Sequence, residues 1–345
     1  MVSKRKLWLQ MTDEETLEPE FPICDSHHHL WDRRPQSRPE DRFLLDEFLD
    51  ELSCGHNIVS SVFVECKAMF RKEGPEALRP VGETEFVQGI AAMSASGQYG
   101  PTRIAAGIVG YADMILGERV APVLEAHPIA GAGRFRGVRF GCAWDSSSAI
   151  PNPSSKVPRE IMLDGTFREG VACLQKHDLV FDALLFHPQL PELATLVRSI
   201  EGVTFVLEHV GGVLGIGPYA GKRDAVFSDW KRDMAELARC PNVCVKLGGF
   251  GLDRLGFGWP ARERPPGSEA LAAELAPYLL TCIELFGPER CMFESNCPID
   301  LQSYSYKIIW NCFKRITRHF SAQERKALFY DTATRVYRLG ATDCG

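Results

Sequence analysis

The residues best able to do chemistry begin with two histidines two positions apart. They lie in Pro22-Ile-Cys-Asp-Ser-His27-His28-His29-Leu-Trp31-Asp32. Alternate residues of a strand share a face, so His27 and His29 point together and His28 points away. Two imidazoles converging at a strand end can bind one divalent metal or jointly polarise a carbonyl. His209 closes another apolar run, Val-Leu-Glu-His, before a Gly-Gly turn, and His187 ends a further one before Pro188. Glu65 concludes Val-Phe-Val-Glu, where a carboxylate is costly unless paired or ligated. It therefore reads either as an acid, base or ligand, or as the ion-pair partner of Lys67, Lys246 or an arginine. Lys246 is itself inside an apolar run and needs an acidic partner.

Arginine's planar fork suits carboxylate recognition, and Arg136 and Arg139 flank one more apolar run. Three residues apart, they cannot both face one side of a regular strand. Arg139 is the better candidate for holding a substrate carboxylate, with Arg136 a possible structural pair. Trp31, Trp144, Phe250, Phe257 and Trp259 fall just after strand ends. They either pack loops or offer an aromatic surface to a flat, cyclic substrate. His56, His127, His177 and His319 lie in helical patterns and read as surface residues.

These groups need elements to position them. Eight short apolar runs recur along the chain: Pro22–His27, Ile58–Glu65, Arg103–Val109, Phe135–Phe140, Leu179–Leu185, Val203–His209, Val243–Gly248 and Arg290–Glu294. They are continuous rather than alternating in polarity, as strands buried on both faces should be. Helical patterns separate them: Leu45–Cys54, Thr84–Ser96, Met114–Ala126, Arg159–His177, Pro191–Glu201, Ser228–Arg239 and Glu269–Phe286, with two more, Ser303–Arg318 and Ala322–Leu339, after the last strand. The pattern predicts an α/β fold, a single-domain (β/α)8 TIM barrel over 22–345, preceded by an N-terminal extension over 1–21 whose role stays open. A doubly wound open sheet shares the local signature. In a barrel, the irregular stretches Trp31–Leu44, Ala143–Pro158 and Gly249–Gly267 all follow strand C-termini, on the catalytic face.

The segment CDSHHHLWD (24–32) resembles the opening motif of the amidohydrolase-related family, the lactonase-rich branch of the amidohydrolase superfamily. RFRGVRF (134–140), FDALLFHPQLPEL (181–193), FVLEHVGG (205–212), VCVKLGG (243–249) and RCMFESNCPID (290–300) follow in that family's order. The resemblance spans 22 to about 339 and implies a barrel hydrolase. It implies a metal-ligand or carbonyl-polarising role for His209, and arginines near Arg139 that hold anionic substrates. Sugar lactonases and pyrone dicarboxylate lactonase are among the similar members, and a sister branch contains decarboxylases.

One motif departs from the family. Its eighth strand usually ends Gly-Ser-Asp-x-Pro, whereas this chain reads Glu294-Ser295-Asn296-Cys297-Pro298. Asparagine cannot accept the proton of a nucleophilic water, although it can orient that water. Glu294 faces the same side one layer deeper and could replace the lost carboxylate or neutralise Lys246; Glu65 could act from across the barrel. Asp300 lies beyond Pro298 and reads as part of the following loop.

Composition removes several alternatives. The 345 residues carry a net charge of −6 with both signs interspersed, so nothing suggests nucleic-acid binding. No run approaches the length of a membrane span. Twelve cysteines without a CxxC pair, several inside apolar runs, read as free thiols of a reducing, cytoplasmic compartment. No glycine-rich phosphate loop opens any helix.

The leading expectation is a hydrolase that opens a lactone or related carbonyl compound, expected to be anionic, working alone or as a homo-oligomer on a small molecule. His27, His29, His209, Glu65, Glu294 and Asn296 are the expected catalytic set. Zinc or manganese could sit on His27, His29, His209 and Glu65, and a metal-free mechanism is equally open. Arg139, Arg136, His187, Trp31 and Trp144 are expected around the substrate. The alternatives are a metal-dependent decarboxylase or other lyase acting on an aromatic or keto acid, and a non-catalytic binding protein of the same descent.

Overall fold

Strand and helix alternate as the pattern of apolar runs requires. The computed structural model describes residues 4–33, 41–152 and 157–340. Its strands are β1 (Ile23–His28), β2 (Ile58–Val64), β3 (Arg103–Gly110), β4 (Phe135–Gly141), β5 (Val180–Leu184), β6 (Phe205–Leu207), β7 (Val243–Leu247) and β8 (Cys291–Phe293). They pair in parallel and in sequence order. Between the outer strands, His29 N donates to the Cys297 carbonyl (2.8 Å) and Ser26 Oγ to that of Phe293 (2.8 Å), bringing the sheet round into a (β/α)8 barrel.

Period-two alternation sorts each strand into two faces. Phe63, Ile108, Val138, Phe181 and Val245 face outward and merge with the helices into the main core. Val62, Val64, Val109, Val180, Val206 and Met292 fill the lumen, closed from below by Val336, Tyr337 and Leu339 of the C-terminal segment. Such branched side chains are what a barrel interior accepts. Two residues further along the lumen face of β5 to β8, the valine-and-sulfur layer gives way to Asp182, Glu208, Lys246 and Glu294, all completely buried. The charged layer therefore sits at the C-terminal end of the strands.

The first turns of several helices are capped as their sequences suggest. Asp164 Oδ1 accepts from Phe167 N (2.9 Å), starting Gly165–Ala172 and splitting the single helix expected over Arg159–His177. Two histidines expected at the surface are buried instead. His127 stacks on Phe135 and bonds Thr84 Oγ1 (2.8 Å) and the Tyr111 carbonyl (3.0 Å). His56 lies against Lys307 and Lys314, its Nδ1 3.0 Å from Lys314 Nζ. His127 is on its helix, but His56 lies past the end of the helix Leu45–Leu52, in the turn before β2, and local periodicity could not say which neighbours cover them.

The N-terminal residues form a strap. After the helix Lys4–Leu9, Glu14 accepts from Ser268 N (2.7 Å) in the first turn of the helix Ser268–Phe286. Leu17 N donates to Asn311 Oδ1 (2.9 Å), while Lys314 Nζ reaches the carbonyls of Leu17 and Glu18 (2.8 Å each). Trp8 Nε1 donates to the Arg262 carbonyl (3.0 Å) and Thr12 Oγ1 to that of Pro265 (2.8 Å), fastening the loop after β7.

Candidate active site

β1 delivers the histidine pair as the alternation predicts. His27 and His29 face inward, with Nε2 atoms 3.2 Å apart. His28 points outward, stacks on Phe48 at 4.4 Å, and neither ring nitrogen has a partner. Burial depresses its pKa to about 3, so it is a neutral core residue.

His209 arrives by a different route. On a regular strand Glu208 and His209 would face opposite sides, and only one could reach the lumen. The backbone instead turns left-handed over His209 (φ 53°), Val210 (48°), Gly211 (80°) and Gly212 (59°). Both side chains then point to the barrel mouth. His209 Nδ1 donates to Glu294 Oε1 (2.7 Å), and its backbone N donates to the same oxygen (3.2 Å). Gly249 (φ +74°) makes room for the ring: a Cβ there would lie 2.0 Å from His209 Nδ1.

Around these histidines is a buried charge lattice. Arg139 Nε donates to Glu65 Oε1 (2.9 Å), Nη1 to Glu208 Oε2 (3.1 Å), and Nη2 to the Glu65 carbonyl. Lys246 Nζ donates to Asp182 Oδ2 (2.7 Å) and lies 3.5 Å from Glu208 Oε1. Tyr337 OH also donates to Asp182 (2.8 Å). Burial opposes the charges of Glu208 and Lys246, but attraction outweighs it: Glu208 is held below its usual range by Arg139 and Lys246, and Lys246 above its own by Asp182 and Glu208, whereas burial pushes Asp182 up to about 6. His27, desolvated and beside Lys246, is driven far toward the neutral form. His209 is also desolvated, but Glu294 and Glu208 outweigh that penalty and favour its imidazolium.

The centre is short of positive charge. Glu65, Asp182, Glu208 and Glu294 share the permanent cations Arg139 and Lys246. Glu208 Oε1 and Glu294 Oε2 receive no hydrogen bond. His27 Nδ1 is 3.3 and 2.8 Å from them but misaligned, so the short distances reflect close packing of a neutral ring rather than bonding. His29 Nδ1 lies 2.8 Å from the Val64 carbonyl and must carry a proton there, which leaves a lone pair on Nε2. Asn296 Nδ2 is committed to Asp300 Oδ1 (2.7 Å), so its Oδ1, also an acceptor, faces His29 Nε2 at 3.2 Å. His29 Nε2 and Asn296 Oδ1 thus meet as two acceptors. Two nitrogens on one tetrahedral ion at about 2.0–2.1 Å each would be roughly 3.3 Å apart, close to the His27–His29 spacing. His27, Glu208 and His209 offer ligand atoms within 4.8 Å of one another, so this donor set fits a divalent cation.

The model of the amidohydrolase family matches residues 24–339. The chain belongs to the amidohydrolase family. An uncharacterised protein of Sinorhizobium fredii is 29% identical over 93% of this chain and 99% of its own length. An L-fucono-1,5-lactonase of Burkholderia multivorans is 28% identical, covering 91% of this chain and 95% of its own. An amidohydrolase of Burkholderia multivorans solved with bound zinc superposes with a TM-score of 0.68 at 26% identity, over 92% of this chain and 99% of that one. Relatives named as lactonases match over the whole barrel, and the chain is a hydrolase of this family.

Within this amidohydrolase, not every expected site residue reaches the mouth cavity, whose lining includes His29, Cys66, Arg139, His209, Arg254 and Asn296. Glu65 is spent on Arg139 and does not belong to the set of converging ligand atoms; Glu208 takes the place expected for it. Arg136 bonds the Arg338 carbonyl (3.2 Å) at the C-terminal segment. Trp31 is wholly buried and pairs with Phe43. His187 accepts from Leu214 N (3.3 Å) and meets Tyr219 edge-on, and burial lowers its pKa to about 4. Trp144 N donates to Gln189 Oε1 (2.9 Å) in the neighbouring loop. All four are side chains that organise loops and the barrel end.

The sequence reading passed over Glu208, Asp182 and the positioning role of Asp300. The first two carried a signal: each is an acid two residues beyond an inward valine. Asp300 is buried and holds Asn296 through one oxygen while accepting from Tyr304 OH (2.6 Å) through the other.

Proposed function

We propose that this amidohydrolase opens a neutral sugar-acid lactone by adding water across its ester carbonyl. The observation that carries the reading is the meeting of His29 Nε2 and Asn296 Oδ1, two acceptors 3.2 Å apart that line the mouth beside His209. A water seated there can donate to both and turn its lone pair outward. His29 Nε2 then takes the proton as oxygen attacks the carbonyl carbon. Asn296 orients and Asp300 fixes Asn296, so a strand-end aspartate is not needed for water placement. His209, favoured as imidazolium, directs its remaining N–H at the developing oxyanion. Collapse breaks the ring C–O bond, the leaving ring oxygen takes the proton back from His29 Nε2, and the new carboxylic acid releases one proton near neutral pH.

With His209 neutral, His27, His209 and Glu208 would hold a divalent cation, which would supply the positive charge at the carbonyl oxygen in place of the His209 imidazolium and leave His29 as the base. The zinc-bound Burkholderia relative supports this reading. A neutral substrate is preferred because each nitrogen of Arg139 already donates within the barrel. The relatives named for L-fucono-1,5-lactone and L-rhamnono-gamma-lactone suggest where to begin.

The test is proton release from a panel of aldonolactones, with carbon dioxide followed in parallel on aromatic acids. We expect lactone opening that falls by about 10²–10⁴-fold in His29→Ala and in His209→Ala. Turnover unchanged in both variants, or carbon dioxide release without lactone opening, would overturn the assignment.

A further inference from the structure

A second and larger cavity lies outside the barrel mouth. Its volume is about 970 Å³ against about 100 Å³ at the mouth, and the two share no lining residue. It is walled by the segments that follow β2, β3 and β4. Successive residues separate the two spaces: Cys66 and Arg139 line the mouth, while Lys67 and Phe140 line the outer cavity.

Its chemistry is unlike that of a loop cleft. Phe70, Tyr111 and Phe140 form a ladder, with centroids 6.1 and 5.9 Å apart and planes tilted by 33° and 20°. Lys67 Nζ stands 5.5 Å above the middle ring, and no carboxylate lies within ion-pair distance of it among the described residues. Arg79 lines the same space; its Nε is buried and meets no acceptor. A buried donor without an acceptor is costly, and an anionic ligand would remove that cost. The neighbouring Arg71 is already committed to Glu85.

The position of Lys67 is built rather than incidental. Lys67 adopts left-handed backbone geometry (φ 62°), as does Met69 (φ 52°), an arrangement unfavourable to both side chains. The carboxylate of buried Glu83 holds it in place, with Oε1 accepting from Cys66 N (3.0 Å) and Ala68 N (2.7 Å), the amides on either side. Glu76 and Asp113 also line the cavity. They equal the two remaining cations Lys67 and Arg79 in number, a balance that disfavours a phosphate or a polyanion and leaves room for a single carboxylate at the Lys67 and Arg79 end. The ring ladder suits a flat apolar body.

We propose that this cavity is a binding site for an aromatic monocarboxylate, separate from the reaction centre. The ring would lie on the Phe70–Tyr111–Phe140 ladder, and the carboxylate would meet Lys67 and Arg79. The site does not depend on which lactone the barrel opens.

Benzoate is the probe, titrated calorimetrically into the full-length protein. We expect saturable binding at one site per chain, weakened about tenfold or more in Arg79→Met and in Lys67→Met, which keep the apolar stems. Cyclohexanecarboxylate should bind more weakly than benzoate, because it has the charge without the planar ring. His209→Ala should bind benzoate as the wild type does. The assignment fails if benzoate shows no saturable binding in the millimolar range, or if Arg79→Met and Lys67→Met both bind it unchanged. Loss of binding in His209→Ala alone would also overturn it, by placing benzoate at the barrel mouth. Melting curves on each variant separate lost binding from lost fold.

Discussion

At the scale of single residues, the chemistry turns on how acceptors and charges are shared. Asn296 presents a carbonyl oxygen where family members usually carry a carboxylate, so the centre gains an orienting group and loses a negative charge. Asn296→Asp should return that charge beside His29 and tighten zinc binding by about tenfold, or about 1.4 kcal/mol. Competition with a chelator would measure this, and equal affinity in both proteins would count against the cation fit. Glu208 is the hub of the lattice, touching Arg139, Lys246 and the edge of His27. Replacing one member of a buried ionic set strands the others, so Glu208→Gln should cost about 3–5 kcal/mol in denaturant unfolding. A loss well under 1 kcal/mol would mean that Arg139 and Lys246 find other partners.

At the scale of elements, the left-handed run after β6 does what a strand alone cannot. It lets consecutive residues, Glu208 and His209, enter the same space. Gly249 at the end of β7 is the matching half, because the His209 ring occupies the volume of its missing side chain. Gly249→Ala should displace that ring and also strain a positive-φ backbone, costing about 1–3 kcal/mol. Activity should fall much further than global stability, since the ring's bond to Glu294 is what orients it. Histidine NMR can follow the Nδ1–H signal; if that signal and turnover are both retained, the close approach is not what sets His209. The strap from Lys4 to Glu18 acts at the same scale, tying the loop after β7 to the helix Ser268–Phe286.

For the whole molecule, burial of titratable groups shapes stability against pH. Glu83 is pushed up to about 8 by desolvation and by the nearby Glu65 charge. Its unfolded value is near 4.5, so between those limits the folded chain holds a proton that the unfolded chain has released. Stability from this group is therefore fully present below about pH 4.5 and is lost as pH rises toward 8, at up to about 1.4 kcal/mol per unit. Buried neutral histidines act oppositely at the acid end: His28 at about 3 and His127 at about 4 must be charged on unfolding in acid. Above pH 6.5 those histidines are neutral in both states and add nothing to the slope, so Glu83→Gln should flatten the decline in urea midpoint between pH 6.5 and 8. An unchanged slope would show that Glu83 keeps an ordinary carboxyl pKa.

Continuous apolar runs marked the eight strands and strand periodicity marked the inward pair His27 and His29, because both are local properties; a doubly wound open sheet has the same local signature, so closure into a barrel belongs to the tertiary structure. The same periodicity separated Arg139 from Arg136 and required an acid beside Lys246. It could not say which acid, since Asp182 and Lys246 meet only when β5, β6 and β7 close around one lumen. Nor could it seat His209 and Glu208 together, which depends on four successive positive-φ residues and on a glycine from another strand. Trp31, Trp144 and His187 follow strand ends in sequence, yet tertiary packing gives them to the loops. Partner choice across a closed barrel is a long-range matter, and only the folded arrangement decides it.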